Sequence, residues 1–373
     1  MKKVVSIALA LLMVAVMLPV MAMAAEVTTA EDLKAAVAAG GEVTLGDNIT
    51  ASITIPKDKT VTLNLNGKTL TNEADMDTIT VALGGTLTIE GTGTVDNDSH
   101  GRAAVYNNGT VTINGGTYTR SAEKGTGKDP DSNNGNSWYT ICNHGVMTVN
   151  AGVTVTNTGT FSSVFENGYQ SYTGNNERSN YVAGTNNAAP ALTINGGTFE
   201  GGKITIKNDD GGILKIGGGR FTNNGNRVVF NANKAEINGG EFYCPATYFG
   251  NEIAVDTLYA DGGQNAGQLT ITGGTFDGKV TQSNGAVTTV SGGTFKKGVD
   301  KSYIVDGKKL DANGNVVPES ITIIVPSDGG NTTTTPSTDN TKNPSTGAND
   351  FVGVAAALAV VSLLGAAAVI RKK

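Results

Sequence analysis

The sequence predicts an all-β fold, a right-handed parallel β-helix of about ten coils, and three observations lead there. Glycine fills 51 of the 373 positions while charged residues make up only 16%. That is the composition of many short strands and turns; collagen would need glycine at every third position, and a disordered chain would need low hydrophobicity with high net charge. The phrase T-[VIL]-N-G-G-[TE]-[FY] recurs at Thr112 to Tyr118, Thr193 to Phe199, Glu236 to Phe242 and Thr270 to Phe276, with weaker copies at Lys215 to Phe221 and Val290 to Phe295. The last apolar residue before each turn falls at Leu45, Leu65, Ile89, Ile113, Val149, Ile194, Ile216, Ile237, Ile271 and Val290, a spacing of 19 to 24 broken by gaps of 36, 45 and 34. A unit of that length cannot bury its own apolar face, so the units must stack.

Taken in chain order, Lys2 and Lys3, the apolar run Val4 to Val20 and the small residues Ala22-Met23-Ala24 predict a secretory signal over residues 1–24. Residues 25–41 follow as an N-terminal cap, with Thr28-Thr29-Ala30-Glu31 as a capping box, Ala30 to Ala39 as a helix burying Leu33 and Val37, and Gly40-Gly41 as its stop. A cap is needed because the open end of a solenoid is an unpaired sheet edge. The β-helix is expected over residues 42–300 and a C-terminal cap over 301–326.

Within a coil, a second apolar residue lies two positions before nine of the ten marks, from Val43 and Leu63 to Leu269, and threonine mostly sits between them. This period-two alternation makes a strand with one dry and one wet face. Val81, Val105, Ile141 and Val229, eight before the mark, seed another strand; Asn107, Asn143, Asn231 and Asn284, six before it, are expected to bond to their equivalents one coil away. Tyr118, Phe199, Phe221, Phe242, Phe276 and Phe295 should stack inside. The paired glycines, such as Gly239-Gly240, mark turns where a Cβ is excluded.

Residues 327–342 read as a polar linker, and Asn343-Pro344-Ser345-Thr346-Gly347 precedes a 20-residue uncharged apolar run, Phe351 to Ile370, and the basic end Arg371-Lys372-Lys373. This order resembles the cell-wall sorting signal of Gram-positive surface proteins, over residues 343–373, with asparagine where the commonest LPxTG-type motif has leucine. The resemblance implies a sortase that cleaves between Thr346 and Gly347 and joins Thr346 to peptidoglycan, so that the membrane is met only through this transmembrane helix before sorting. The helix entry DLKAAVAAGGEVTLGDNI and the serial GGTF turns, over Val27 to Pro318, resemble secreted, wall-anchored proteins of those bacteria with the pectate-lyase-like right-handed β-helix. That implies an extracellular, wall-attached location; the fold itself hosts lyases, hydrolases, adhesins and ice binders alike.

Function is sought in the insertions, since repeats tend to carry them on the binding face. Thr119 to Tyr139, Asn157 to Pro190 and Tyr243 to Gln268 contain Trp138, Tyr139, Tyr169, Tyr172, Tyr181, Tyr248, Phe249 and Tyr259, with Phe161 and Phe165, and the first two should be neighbours because they leave adjacent coils. Aromatic faces bordered by Asn, Asp and Glu suit sugar rings; the same aromatics could equally pin long loops to the coil. The expectation is a displayed adhesin or glycan- or protein-binding surface protein, with a polysaccharide lyase or hydrolase as the alternative. For chemistry the candidate acids are Asp129, Asp131, Glu166, Glu177, Asp209, Asp210, Glu252, Asp256 and Asp261, with Arg120 and Arg178 as bases, and no pair is singled out by spacing. No catalytic residue is assigned and no cofactor is expected, calcium being the one candidate.

Two histidines leave little room for zinc, and His144, in the register of Asn108, reads as an exposed turn residue. Cys142 and Cys244 fall three coils apart, about 14 Å at the usual strand spacing, so free thiols are expected. An outward threonine ladder raises ice binding, interrupted by Asn64, Lys215 and Glu236. Without Lys2, Lys3, Arg371, Lys372, Lys373 and Asp350 the exported part holds 22 basic and 32 acidic side chains, a net of −10 against −6 for the whole chain. Nucleic acid is therefore not an expected partner.

Overall fold

The structure is a computed structural model. It describes residues 25–121, 139–157, 163–168, 172–173, 177–178, 190–209, 211–223, 226–245, 250–258, 267–283 and 285–319. The sorting residues Asn343 to Gly347 and the apolar run after them lie outside this set; among the described residues no helix is long and apolar enough to cross a membrane.

The chain winds through three parallel sheets of eleven, ten and nine strands, visited in the same order on each coil. The first sheet runs from Ala25–Val27 and Gly41–Leu45 to Val287–Val290, the second from Ile49–Thr50 to Thr294–Phe295, and the third from Ile53–Ile55 to Lys279–Gln282. Equivalent strands lie directly over one another, as Thr110 to Ile113 do over Val146 to Val149. Backbone hydrogen bonds thus run between coils, and each coil is stable only against its neighbours. Inward residues form a single apolar column, from Val27 and Leu33 to Phe295.

Both ends of that column are closed. Helix Ala30–Ala39 buries Leu33 and Val37; Thr29, not Thr28, caps it, accepting the Asp32 N–H at 3.1 Å, and Gly40 ends it at φ 86°. At the far end a 3-10 turn, Lys301–Tyr303, is followed by the antiparallel pair Lys308–Leu310 and Val316–Pro318. Val299, Tyr303, Leu310 and Val316 pack against the last core residues.

Three internal columns hold the stack. Phe199, Phe221, Phe242, Phe276 and Phe295 form a continuous pile, with ring centroids 4.8 Å apart and planes within 8° of parallel. Tyr118 does not join it, because Val155 stands between Tyr118 and Phe199 in the register. Its hydroxyl donates instead to the Gly115 carbonyl at 3.0 Å. The second column is an asparagine ladder at the end of the third sheet, Asn107, Asn143, Asn167, Asn208 and Asn231, each amide donating to the next side-chain oxygen at 2.7–2.8 Å. Asn167 and Asn208 are additions to the expected set, and Asn284 lies outside the described residues. The third is the turn between the first two sheets. At Gly239-Gly240 a Cβ on the first glycine would meet the Gly217 carbonyl one coil below, and the second takes φ 101°, a left-handed conformation costly for any other residue.

The first two coils correct the repeat register. Val43 and Leu63, not Leu45 and Leu65, lie in line with Ile89, and Ile79, not Val81, lies in line with Val105. The alternation hides this slip, because an extra inward apolar residue at Leu45 and Leu65 looks like the end of the motif. Consequently Thr62, not Asn64, belongs to the outward threonine row, which runs through Thr88, Thr112, Thr148 and Thr193 to Lys215 and Glu236.

Candidate functional site

Turns from the first to the second sheet never exceed four residues, whereas every long connection apart from the cap helix enters or leaves the third sheet. Residues 120–140 enter it at Ile141–Asn143, and residues 168–190 leave it after Phe165–Asn167. The expected insertion from Asn157 to Pro190 is therefore two connections with a strand between them, and Phe165 is a core residue, fully buried, not a loop aromatic. Ile253–Thr257 divides the region Tyr243 to Gln268 in the same way. Connections 120–140 and 158–164 enter adjacent parallel strands of the third sheet at the same end, whereas 168–190 leaves the second of them at the other end.

The third sheet also differs in what it turns outward. The outer residues of the other two are largely threonine, while its outward row reads Thr54, Thr80, Tyr106, Cys142, Glu166, Lys207, Phe230, Asp256 and Thr281. In its central strands both faces are dry: all residues of Ile141–Asn143, Phe165–Asn167 and Ile204–Asn208 are buried. Charges held there must be paired, since an uncompensated one costs several kcal/mol, roughly.

They are paired along the row. Tyr106 Oη lies 3.2 Å from His144 Nδ1, with the rings edge to face at 5.1 Å, and His144 Nε2 lies 3.6 Å from Glu166 Oε2. His144 is thus a half-buried member of the cluster and not an exposed turn residue. Lys207 Nζ lies 2.6 Å from Asp209 Oδ2, donates to the Tyr139 hydroxyl at 3.2 Å, and faces the rings of Tyr139 and Phe230 at 5.7 and 5.8 Å. Arg227 Nε meets Asp256 Oδ2 at 2.7 Å, and Thr281 donates to the other Asp256 oxygen at 2.8 Å. Arg120, 1% exposed, donates to the Ser99 carbonyl at 3.2 Å.

Of the candidate aromatics, Tyr139 joins this cluster through Lys207. Tyr172 lies in the short pair Tyr172–Thr173 with Glu177–Arg178. Trp138, Tyr169, Tyr181, Tyr248, Phe249, Tyr259 and Phe161 lie outside the described residues, as do Asp129, Asp131, Asp210 and Asp261. Among the candidate acids, Glu166, Asp209 and Asp256 are on this face, and Glu252 pairs with Lys297 at 3.4 Å. Tyr106, His144, Lys207 and Arg227 were not singled out by the sequence as site residues. The signal that finds them is the register itself, since each lies on or beside the odd, outward positions of third-sheet strands. No group of three or more His, Cys, Asp or Glu able to hold a metal ion occurs among the described residues.

Both cysteines are free and buried. Burial pushes the Cys142 thiol well above its ordinary range, and the neighbouring Glu166 and Asp77 carboxylates push it the same way against Arg120. In the native protein at pH 8, both thiols are expected to resist iodoacetamide and to react fully in 8 M urea, roughly a hundredfold rate difference from lost access and thiolate together. Fast native labelling of Cys142, read by peptide mass, would show that this thiol is not enclosed.

A scan against protein-family models, a search of curated proteins and a search of solved structures each find no match to this chain.

Proposed function

We propose that this chain is a secreted, wall-attached β-helix that presents the third-sheet face as a binding surface for carbohydrate or for a surface protein, with right-handed winding. The observation that carries the binding face is that every long connection apart from the cap helix enters or leaves the third sheet, whose outer row brings Tyr106, Glu166, Lys207, Phe230 and Asp256 into one file. Display outside the cell rests on the signal-like start and on Asn343 to Gly347 with the apolar run and basic tail behind them, which would make sortase and peptidoglycan its attachment partners. Purified protein incubated with a polysaccharide panel should be retained on at least one polymer without releasing reducing or unsaturated ends. Retention should fall about tenfold or more in Lys207→Met, which removes the ammonium that lies against Asp209, Tyr139 and Phe230 at the centre of this face.

The second reading, a lyase or hydrolase on the same scaffold, is favoured by one arrangement. Tyr106, His144 and Glu166 stand in line, with a hydroxyl at hydrogen-bond distance from Nδ1 and a carboxylate facing Nε2, the order of a proton relay. The same incubation separates the two readings: release of chain ends that disappears in His144→Ala replaces the binding protein by an enzyme.

A further inference from the structure

We propose that a pocket at the N-terminal end of the third-sheet face is a subsite for one neutral sugar unit, built from Ser52, Thr54, Asp75, Asp77, Thr80 and Arg102. The inference rests on the reading of this face as a carbohydrate surface and adds where on it a ring sits and of which charge class. The pocket holds about 220 Å³, below the range usual for drug-sized ligands and suited to a single ring.

Its polar groups are held in place by bonds made elsewhere. The Ser52 hydroxyl oxygen accepts the Glu73 N–H at 3.0 Å, which leaves its proton to donate. One Asp77 oxygen accepts the Ala103 N–H at 2.7 Å, which leaves the other as an acceptor. Asp75 is in the left-handed region at φ 61°, with its N–H donating to Ser99 Oγ at 3.0 Å. Thr54 and Thr80 are register partners on successive coils. Acceptor carboxylates, a donor guanidinium and three hydroxyls that do both match vicinal sugar hydroxyls, each of which donates and accepts. Preorganised partners of this kind reduce the ordering cost of binding.

Charge selects among sugars. Two carboxylates face one guanidinium here, on a protein whose exported part carries −10, so a uronate or sulfated unit meets net repulsion. Burial raises Asp77 from its ordinary value, with the Ala103 N–H, Arg102 and Arg120 opposing, and a second anion beside it would deepen that penalty. Met76, 49% exposed at the rim, offers an apolar surface to the ring's CH face. Direction follows from the register: Thr80 lies beside Tyr106, the first aromatic of the outward row, so the next sugar of a polymer running along the stack would meet that ring.

The test measures affinity of the full chain for glucan, mannan and galactan and for polygalacturonate and hyaluronate, with Asp77→Asn, Arg102→Ala and Thr54→Val. Thr54→Val is isosteric and leaves the Asp77 contact intact should Asp77→Asn fold poorly, and Thr289→Ala on the first sheet serves as the control. The expected result is binding of a neutral polymer, weakened roughly tenfold or more by Arg102→Ala and measurably by Thr54→Val, and unchanged by Thr289→Ala. Neutral binding lost in Lys207→Met but unchanged by all three pocket variants overturns this subsite and leaves the face. Preference for the acidic polymers overturns the charge class, and binding to no polymer overturns the subsite together with the carbohydrate reading of the face.

Discussion

Asn167→Ala is expected to cost about 3–5 kcal/mol, the sum of several buried hydrogen-bond partners left unmade at ~1–3 kcal/mol each. Asn167 is wholly buried, donates to Asn208 Oδ1 at 2.7 Å and to the Ile213 carbonyl at 3.1 Å, and accepts from Asn143 at 2.7 Å. Alanine leaves two acceptors and one donor facing a void that cannot be reached from solvent. Asn167→Asp should be as damaging, since a carboxylate keeps the acceptor and abolishes the donation to Asn208 while burying a charge. Chemical unfolding checks both; a loss below about 1 kcal/mol would mean that the ladder is not a structural element, because even one buried orphan costs that much. The ladder begins above Val81 and Ile55, which occupy the same register in the preceding coils. Its first member, Asn107, should therefore be the less costly site, having no asparagine below it.

Phe242→Ala is the second large effect, expected at about 3–5 kcal/mol from lost burial and the cavity it opens. Phe242 lies between Phe221 and Phe276, 4.8 Å from each and 5° from parallel to both. Phe242→Leu refills most of the volume but breaks both ring contacts, so its own loss reports the stacking, of order 0.5–1.5 kcal/mol per pair, and the further loss in Phe242→Ala reports burial and cavity. Calorimetry of the two variants decides. Equal losses would assign the whole effect to the rings' contact with each other, and no loss in either would mean that the coils at this level do not bear on the measured transition. Because each coil touches only its neighbours, a weakened middle coil can also split one transition into two.

The repeat was legible where its turn chemistry is loud. Gly-Gly before an aromatic announces the first-to-second-sheet corner in coil after coil, and period-two alternation separates wet from dry faces without any knowledge of neighbours. It was illegible in the first two coils, because slipping by two residues keeps every side chain on its face and only the pairing with Ile89 reveals the offset. Asn167 and Asn208 escaped for a related reason. Long or irregular connections separate them from the next mark, so a fixed distance of six residues cannot find them, whereas hydrogen bonding to Asn143 and Asn231 places them at once.

The site was legible by half. Insertion lengths pointed to the third-sheet side of the coil and included Tyr139 and Glu166, yet His144 was read as exposed, and Tyr106, Lys207 and Arg227 lay inside short strands that carry no motif. A residue in a coil of this kind touches residues about 20 to 45 positions away, fixed by which strand lies above it. What the sequence by itself determined was therefore the coil: its length, its inward face and its glycine corners, all local consequences of backbone sterics and alternation. Only the stacking decided which outward side chains become neighbours, because a parallel register sums every insertion along the chain before it brings Glu166 beside Cys142 and Lys207. That is why the fold could be read from one repeat, and the neighbours along its outward face could not.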